Sequence, residues 1–168
     1  MIRLAPYDPA WPRRYAGERD RLRAALGPPV PDLEHIGSTA VPGLGAKPIL
    51  DIMAGVPDLG IAAEWIPSLA SLGYRYLPDA ERAIPDRRFF VRRRGGARIV
   101  HLHLVERPGP FWERHLRFRD LLRAQPATAA AYDRLKRALA LRFAHDREAY
   151  TDGKTAFIEA LLADAGAS

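Results

Sequence analysis

Residues 34–56, EHIGSTAVPGLGAKPILDIMAGV, constrain this chain more than any other stretch, because they set one carboxylate inside an apolar run. Asp51 stands among Ile49, Leu50, Ile52 and Met53, and burying an acid there is costly unless a cation or a hydrogen-bond donor meets it. The stretch reads as a short strand (Leu33 to Ile36), a turn of small residues, and a second strand (Pro48 to Val56). The turn opens with Gly37-Ser38-Thr39, which can expose successive backbone N–H groups and add hydroxyl donors for a phosphate. Gly43 and Gly45 permit a second close approach, and Lys47 precedes the strand within reach of a polyphosphate. A glycine-serine turn followed by a strand-borne Asp is one way to bring a phosphate and its metal together.

Strand alternation puts Asp51 and Met53 on one face and Leu50 and Ile52 on the other. In RIVHLHLVE the same rule places His101, His103 and Val105 on one face. If the two strands are neighbours, Asp51, His101 and His103 converge. One carboxylate and two imidazoles form a divalent-metal set better suited to zinc, manganese or iron than to magnesium. The competing reading leaves each histidine satisfied separately by backbone or solvent.

The rest of the chain supports this centre. YDPAWP predicts a turn and then a helix to Gly27, with Asp8 capping, Pro9 at its first position, and Tyr15, Leu22 and Leu26 as the core stripe. Leu59 to Leu72 reads as a helix kinked or split at Pro67, Tyr74 to Leu77 as a strand, and Ala80 to Asp86 as a loop able to act as a flap. Arg88 to Arg93 and Ala97 to Glu106 form a hairpin around Arg94 to Gly96. From Pro110 onward the pattern is helical, with Phe111, His115, Phe118 and Leu122 in one helix and Tyr132, Leu135, Leu139 and Phe143 in the next. Tyr150 to Lys154 reads as a turn before a last helix through Ala163. Strands first and helices last predict an α+β fold over a single domain, residues 1–168, with a helical C-terminal layer.

Composition narrows the functional classes. No cysteine is present, so disulfides and thiolate chemistry are excluded. No run is apolar enough for a signal-peptide core or a membrane span, so a cytoplasmic protein with no membrane partner is expected. The net charge of +6 suggests an anionic partner. Of the 26 basic side chains only three are lysines (Lys47, Lys136, Lys154), the other 23 being arginine. Arginine richness reads as mostly solvated surface, which singles out each lysine. Arg87, Arg88 and Arg92 to Arg94 around Phe89 and Phe90 resemble a nucleic-acid surface, although two core aromatics beside a solvated strand end explain them better.

EHIGSTAVPGLGAKPILDI, HLHLVE, FRDLLRAQPATAAAYDRLK and YTDGKTAFI, in that order, closely resemble the GrpB family, and the likeness runs from YDPAWP to the last helix. That family belongs by fold to the nucleotidyltransferase superfamily, and GrpB-like domains occur fused behind dephospho-CoA kinase. The resemblance implies a nucleotidyltransferase-like mixed β-sheet flanked by helices. It matches Gly37-Ser38 to the glycine-serine turn, Asp51 to the first metal carboxylate, and Lys136 and Lys154 to lysines of the C-terminal motifs. Active superfamily members carry a second carboxylate two residues on. Here that position is Met53, which cannot ligate a hard cation, and the His101-x-His103 pair stands where a third carboxylate is expected.

Three functions follow. In the first, Gly37, Ser38, Thr39, Lys47, Lys136 and Lys154 hold a nucleotide or other phosphorylated ligand. Asp51, His101 and His103 then hold a divalent metal (zinc, manganese or magnesium) or serve as catalytic groups, with or without nucleotidyl transfer. The second is a non-enzymatic adaptor or chaperone-like module. The third is a histidine-triad-like phosphoester hydrolase, a motif whose third histidine is Val105 here.

Overall fold

A computed structural model describes residues 1–28 and 31–164. The chain forms α1 (Trp11–Leu26), β1 (Asp32–Ile36), β2 (Leu50–Val56), α2 (Ala62–Ser71), β3 (Tyr74–Tyr76), β4 (Arg87–Arg94) and β5 (Ala97–Glu106). Four helices follow: α3 (Pro110–Ala124), α4 (Pro126–Arg142), α5 (Arg147–Asp152) and α6 (Thr155–Asp164). The five strands make one mixed sheet in the order β1-β2-β5-β4-β3. Only β2 and β5 pair in parallel; β1–β2, β3–β4 and β4–β5 are antiparallel.

The two-residue period of β2 and β5 divides the core. Leu50, Ile52, Ala54, Val100, Leu102 and Leu104 join Phe90 and the apolar faces of α1 and α2, including Leu22, Trp65 and Leu69. On the opposite sheet face Ile36, Met53 and Val105 pack against Trp112 of α3. Beyond them Leu122, Ala129 and Tyr132 meet Val41 and Leu44 of the loop after β1, with Phe157 and Ile158 of α6 closing over them. This is the expected C-terminal helical layer, and it covers only part of its sheet face.

Several local expectations shift. Asp8 accepts a hydrogen bond from the Ala10 amide at 2.8 Å but belongs to the turn before α1, where Pro12 rather than Pro9 occupies the first turn. Pro67 lies inside a continuous α2; the break falls earlier, at a 3₁₀ turn over Leu59–Ile61 whose Asp58 cap accepts from Gly60. Tyr150 belongs to α5 rather than a turn, because the Asp146 carboxylate caps that helix by accepting from the Ala149 amide at 3.0 Å. The 80–86 segment is tied at Glu81, which accepts from the Tyr76 hydroxyl and pairs with Arg88 at 3.3 Å.

Candidate functional site

Parallel pairing of β2 with β5 sets Asp51 opposite His101 and Met53 opposite His103. Asp51 Oδ1 lies 3.0 Å from His101 Nδ1 and 3.3 Å from His103 Nε2. The three ligating atoms fall within 4.8 Å of one another, so the convergence inferred from alternation is present. Met53 is fully buried between Ile36, Val105 and Trp112, which puts the position of a second carboxylate inside the core. Val105, the third place of a histidine triad, is in the same cluster.

Burial pushes the Asp51 carboxyl upward, but hydrogen bonds from His101 and His103 outweigh it and hold the group well below the usual carboxylate range. Asp51 is therefore an anion at any ordinary pH. His103 moves the other way: burial lowers its pKa against the pull of Asp51, and the Arg87 charge adds to the lowering. Arg87 Nη1 stands 3.4 Å from His103 Nδ1. A guanidinium can only donate, so His103 accepts at Nδ1 and carries its proton on Nε2, toward Asp51. His101 Nδ1 also meets Asp51, and the buried His101 Nε2 has no partner among the described residues. Phe89 packs its ring against both imidazoles, with centroids 5.2 and 5.1 Å away.

The glycine-serine turn reaches this cluster from β1. Gly37 adopts φ 72°, and a Cβ there would sit 2.6 Å from Asp51 Oδ2. Both the left-handed backbone and the close approach require glycine. Ser38–Ala40 form one 3₁₀ turn. The Thr39 hydroxyl is engaged within the turn: it donates to the Ile49 carbonyl at 3.5 Å and lies 2.9 Å from His35 Nε2, whose N–H supplies the other bond. Burial, with help from Arg123, lowers the His35 pKa to about 4, so a neutral imidazole braces the turn.

The three lysines converge, although they come from distant parts of the chain. Lys136 of α4, 2% exposed, donates to Ser38 Oγ at 3.0 Å and to the Gly45 carbonyl. Asp133, one turn earlier on α4, accepts from the Gly45 amide at 3.0 Å, so α4 clamps the loop between turn and strand. Lys47 and Lys154 place their ammonium groups 4.5 and 4.6 Å from the centroid of the buried Tyr150 ring. Burial lowers the pKa of Lys47 and Lys136 to about 8 each.

A cavity of about 190 Å3 joins Ser38, Thr39, Lys47, Asp51, His101, Lys136, Tyr150 and Lys154. It adjoins a cleft of about 620 Å3 that shares Lys47, Asp51, His101 and Lys154 and adds Gly37 and His103. Arg87, Arg98, Arg114 and Arg147 add cations to that cleft, while Phe118, Tyr132 and Ile158 give it an apolar side. Among the described residues Asp51 is the only carboxylate on either lining. Sequence reasoning missed Arg98, Arg147 and Tyr150 because arginine is abundant everywhere and a single ring in an expected turn carries no periodic signal. His115, treated as a helix-stripe residue, also lines the cleft; its Nδ1–H donates to the Phe111 carbonyl at 2.8 Å. Residues 80–86 do not line it.

Residues 1–164 match the family described as GrpB protein. A UPF0157 protein from Pseudomonas aeruginosa is 42% identical over 164 residues, spanning 96% of this chain and 66% of that one. A dephospho-CoA kinase from Mycolicibacterium paratuberculosis is 33% identical over 171 residues, spanning 89% of this chain and 42% of the kinase. The chain thus spans about two thirds of the first relative and less than half of the second. Among solved structures, GrpB from Enterococcus faecalis superposes with a TM-score of 0.85 at 32% identity, covering 97% of this chain and 96% of that one. Cid1, a poly(U) polymerase, superposes with a TM-score of 0.59 at 14% identity over 89% of this chain and 49% of its own. The last likeness shows a shared nucleotidyltransferase-type fold.

Proposed function

The chain belongs to the GrpB family, and from that premise we propose that its cleft binds a nucleotide or other phosphorylated small molecule beside one divalent metal. The carrying observation is the meeting of a lone carboxylate and two imidazoles with a lining otherwise rich in cations. An anionic ligand answers the cations, and a borderline cation such as zinc or manganese suits the mixed oxygen and nitrogen donors. Asp51, His101 and His103 would hold the metal, which would supply Lewis-acid polarisation of a bound phosphate. To ligate there, each imidazole would carry its proton on the ring nitrogen away from Asp51, and protonation of either ring would weaken metal affinity in acid. Lys47 and Lys154 would meet phosphate oxygens. Ser38, which accepts from Lys136, keeps its own hydroxyl proton free to donate.

The fold shared with a poly(U) polymerase supports nucleotides as the ligand class. Transfer through three carboxylates and two metals is not part of this reading, since Met53 is a core residue and Asp51 stands alone among acids in the cleft. Isothermal titration with a panel of nucleotides, each with Mg2+, Mn2+ or Zn2+, tests the proposal. Saturable binding that K47A/K154A weakens at least tenfold is expected, and absence of binding in every combination overturns it.

A further inference from the structure

A charged surface continues beyond the metal cluster. Lys47 lines the inner cavity, the main cleft, and also a groove of about 420 Å3 between the N-terminal segment and the β4–β5 hairpin. That groove shares Arg98 and Arg147 with the cleft and adds Arg3 and Arg93. Arg98 begins β5, Arg147 begins α5, and Lys47 precedes β2, so three separate elements bring these cations to one place. The ion pairs formed among the described residues include none for Lys47, Arg98, Arg147 or Lys154. The two lysines are compensated by the face of the Tyr150 ring and, at longer range, by the Asp51 carboxylate.

These cations are close enough to disturb one another. After burial, Arg147 and Lys154 are the neighbours that lower the Lys47 pKa, and Arg147 and Arg93 those that lower Arg98. Such repulsion is relieved when an anion binds. One phosphomonoester carries about two negative charges at neutral pH, too few for Lys47, Lys154, Arg98 and Arg147 together. A chain of linked phosphates supplies both the charge and the length to run from the inner cavity past Lys47 toward the groove.

Resting on the reading that the cleft takes a phosphorylated ligand, we infer that this ligand is an oligophosphate, with Lys47, Arg98 and Arg147 forming an outer subsite for its distal phosphates. The Gly37-Ser38 turn and Lys154 meet its inner end. The same chemistry is offered by a nucleoside triphosphate and by inorganic tripolyphosphate.

The test is a titration ladder at fixed ionic strength: inorganic phosphate, pyrophosphate and tripolyphosphate beside adenosine mono-, di- and triphosphate. It uses the intact chain, R98A/R147A, and R13A/R23A, which removes the same charge from the exposed surface of α1. At least about a tenfold gain in affinity from mono- to triphosphate is expected in one series or both, as suits added charge-assisted contacts. R98A/R147A should flatten that gain, weakening triphosphate binding far more than monophosphate binding, and R13A/R23A should preserve it. A gain confined to the adenosine series assigns the chain to a nucleotide; equal gains assign it to the phosphates alone. Monophosphates binding as tightly as triphosphates, or a gain that survives R98A/R147A, overturn the outer subsite and leave phosphate binding standing. Absence of binding throughout removes both.

Discussion

Two carboxylates drawn out of solvent, one on each face of the sheet, have opposite surroundings. Glu18 of α1, 4% exposed, accepts from the Tyr74 hydroxyl at 2.6 Å, Arg92 Nη2 at 2.6 Å and Arg21 Nη1 at 3.1 Å. Its side chain and that of Arg92 are 4% and 16% exposed, so the pair is closed and carries a permanent counter-charge. Asp51 keeps 29% of its side chain exposed toward an open cleft, and its partners are imidazoles. A neutral imidazole has a lone pair to offer a metal, whereas a guanidinium has none. Burial alone therefore does not separate a structural acid from a ligand-binding one; the exchangeability of its partners does.

The largest expected effect breaks the closed side. Glu18→Ala leaves Arg92 and the Tyr74 hydroxyl buried without their acceptor, and loss of one member of a buried pair costs about 3–5 kcal/mol. Chemical denaturation should show this drop, with metal and nucleotide binding unchanged at temperatures where the variant stays folded.

A second effect separates the two sides by pH. Burial holds His35 at about 4 against an ordinary 6.5, so its contribution to stability is complete above pH 6.5 and is lost as pH falls toward 4, while the unfolded chain takes up the proton. The loss is on the order of 3 kcal/mol. Asp51 belongs to a lower window: its depressed pKa contributes stability above the unfolded carboxylate value near pH 4, and that contribution disappears only in stronger acid. Urea midpoints measured from pH 7 to 4 should fall less steeply for His35→Gln than for the parent, while Asp51→Asn, which removes the pull that raises the His103 pKa, should not make the fall shallower.

The smallest change in stability should come with a large change in binding. Asp51→Asn retains an acceptor for the imidazoles and is expected to cost about 1–2 kcal/mol, well under the Glu18 variant. Zn2+ affinity, read by competition with a chromophoric chelator, should fall by about 100-fold or more. A stability loss matching that of Glu18→Ala, with Zn2+ affinity preserved, would make Asp51 a second structural acid and erase the contrast.

Much of the site was legible before any coordinates. A two-residue period in β2 and β5 needs only local sequence to put Asp51, His101 and His103 on their faces, and an acid inside an apolar run announces that something must meet it. Gly37 was readable as the opening of a phosphate-type turn, but its close approach to Asp51 was not. Glu18 was not, because an acid on an arginine-rich helix looks solvated until β3 and β4 supply Tyr74 and Arg92. Thr39 was read as a phosphate donor, yet its hydroxyl is engaged by His35 of β1 and by Ile49 just before β2.

The sequence by itself determined the periodicities, the glycine-serine turn and the missing second carboxylate at Met53, which depend on neighbours a few residues apart, and the family, which depends on the order of motifs along the chain. Only the tertiary structure decided which cations face one another. Lys47, Arg98, Lys136, Arg147 and Lys154 are spread over most of the chain length, and no local period links them. Parallel β2–β5 pairing and the docking of α4 and α5 across the open part of the sheet bring them together, because a cluster's charge depends on distances in space rather than along the chain.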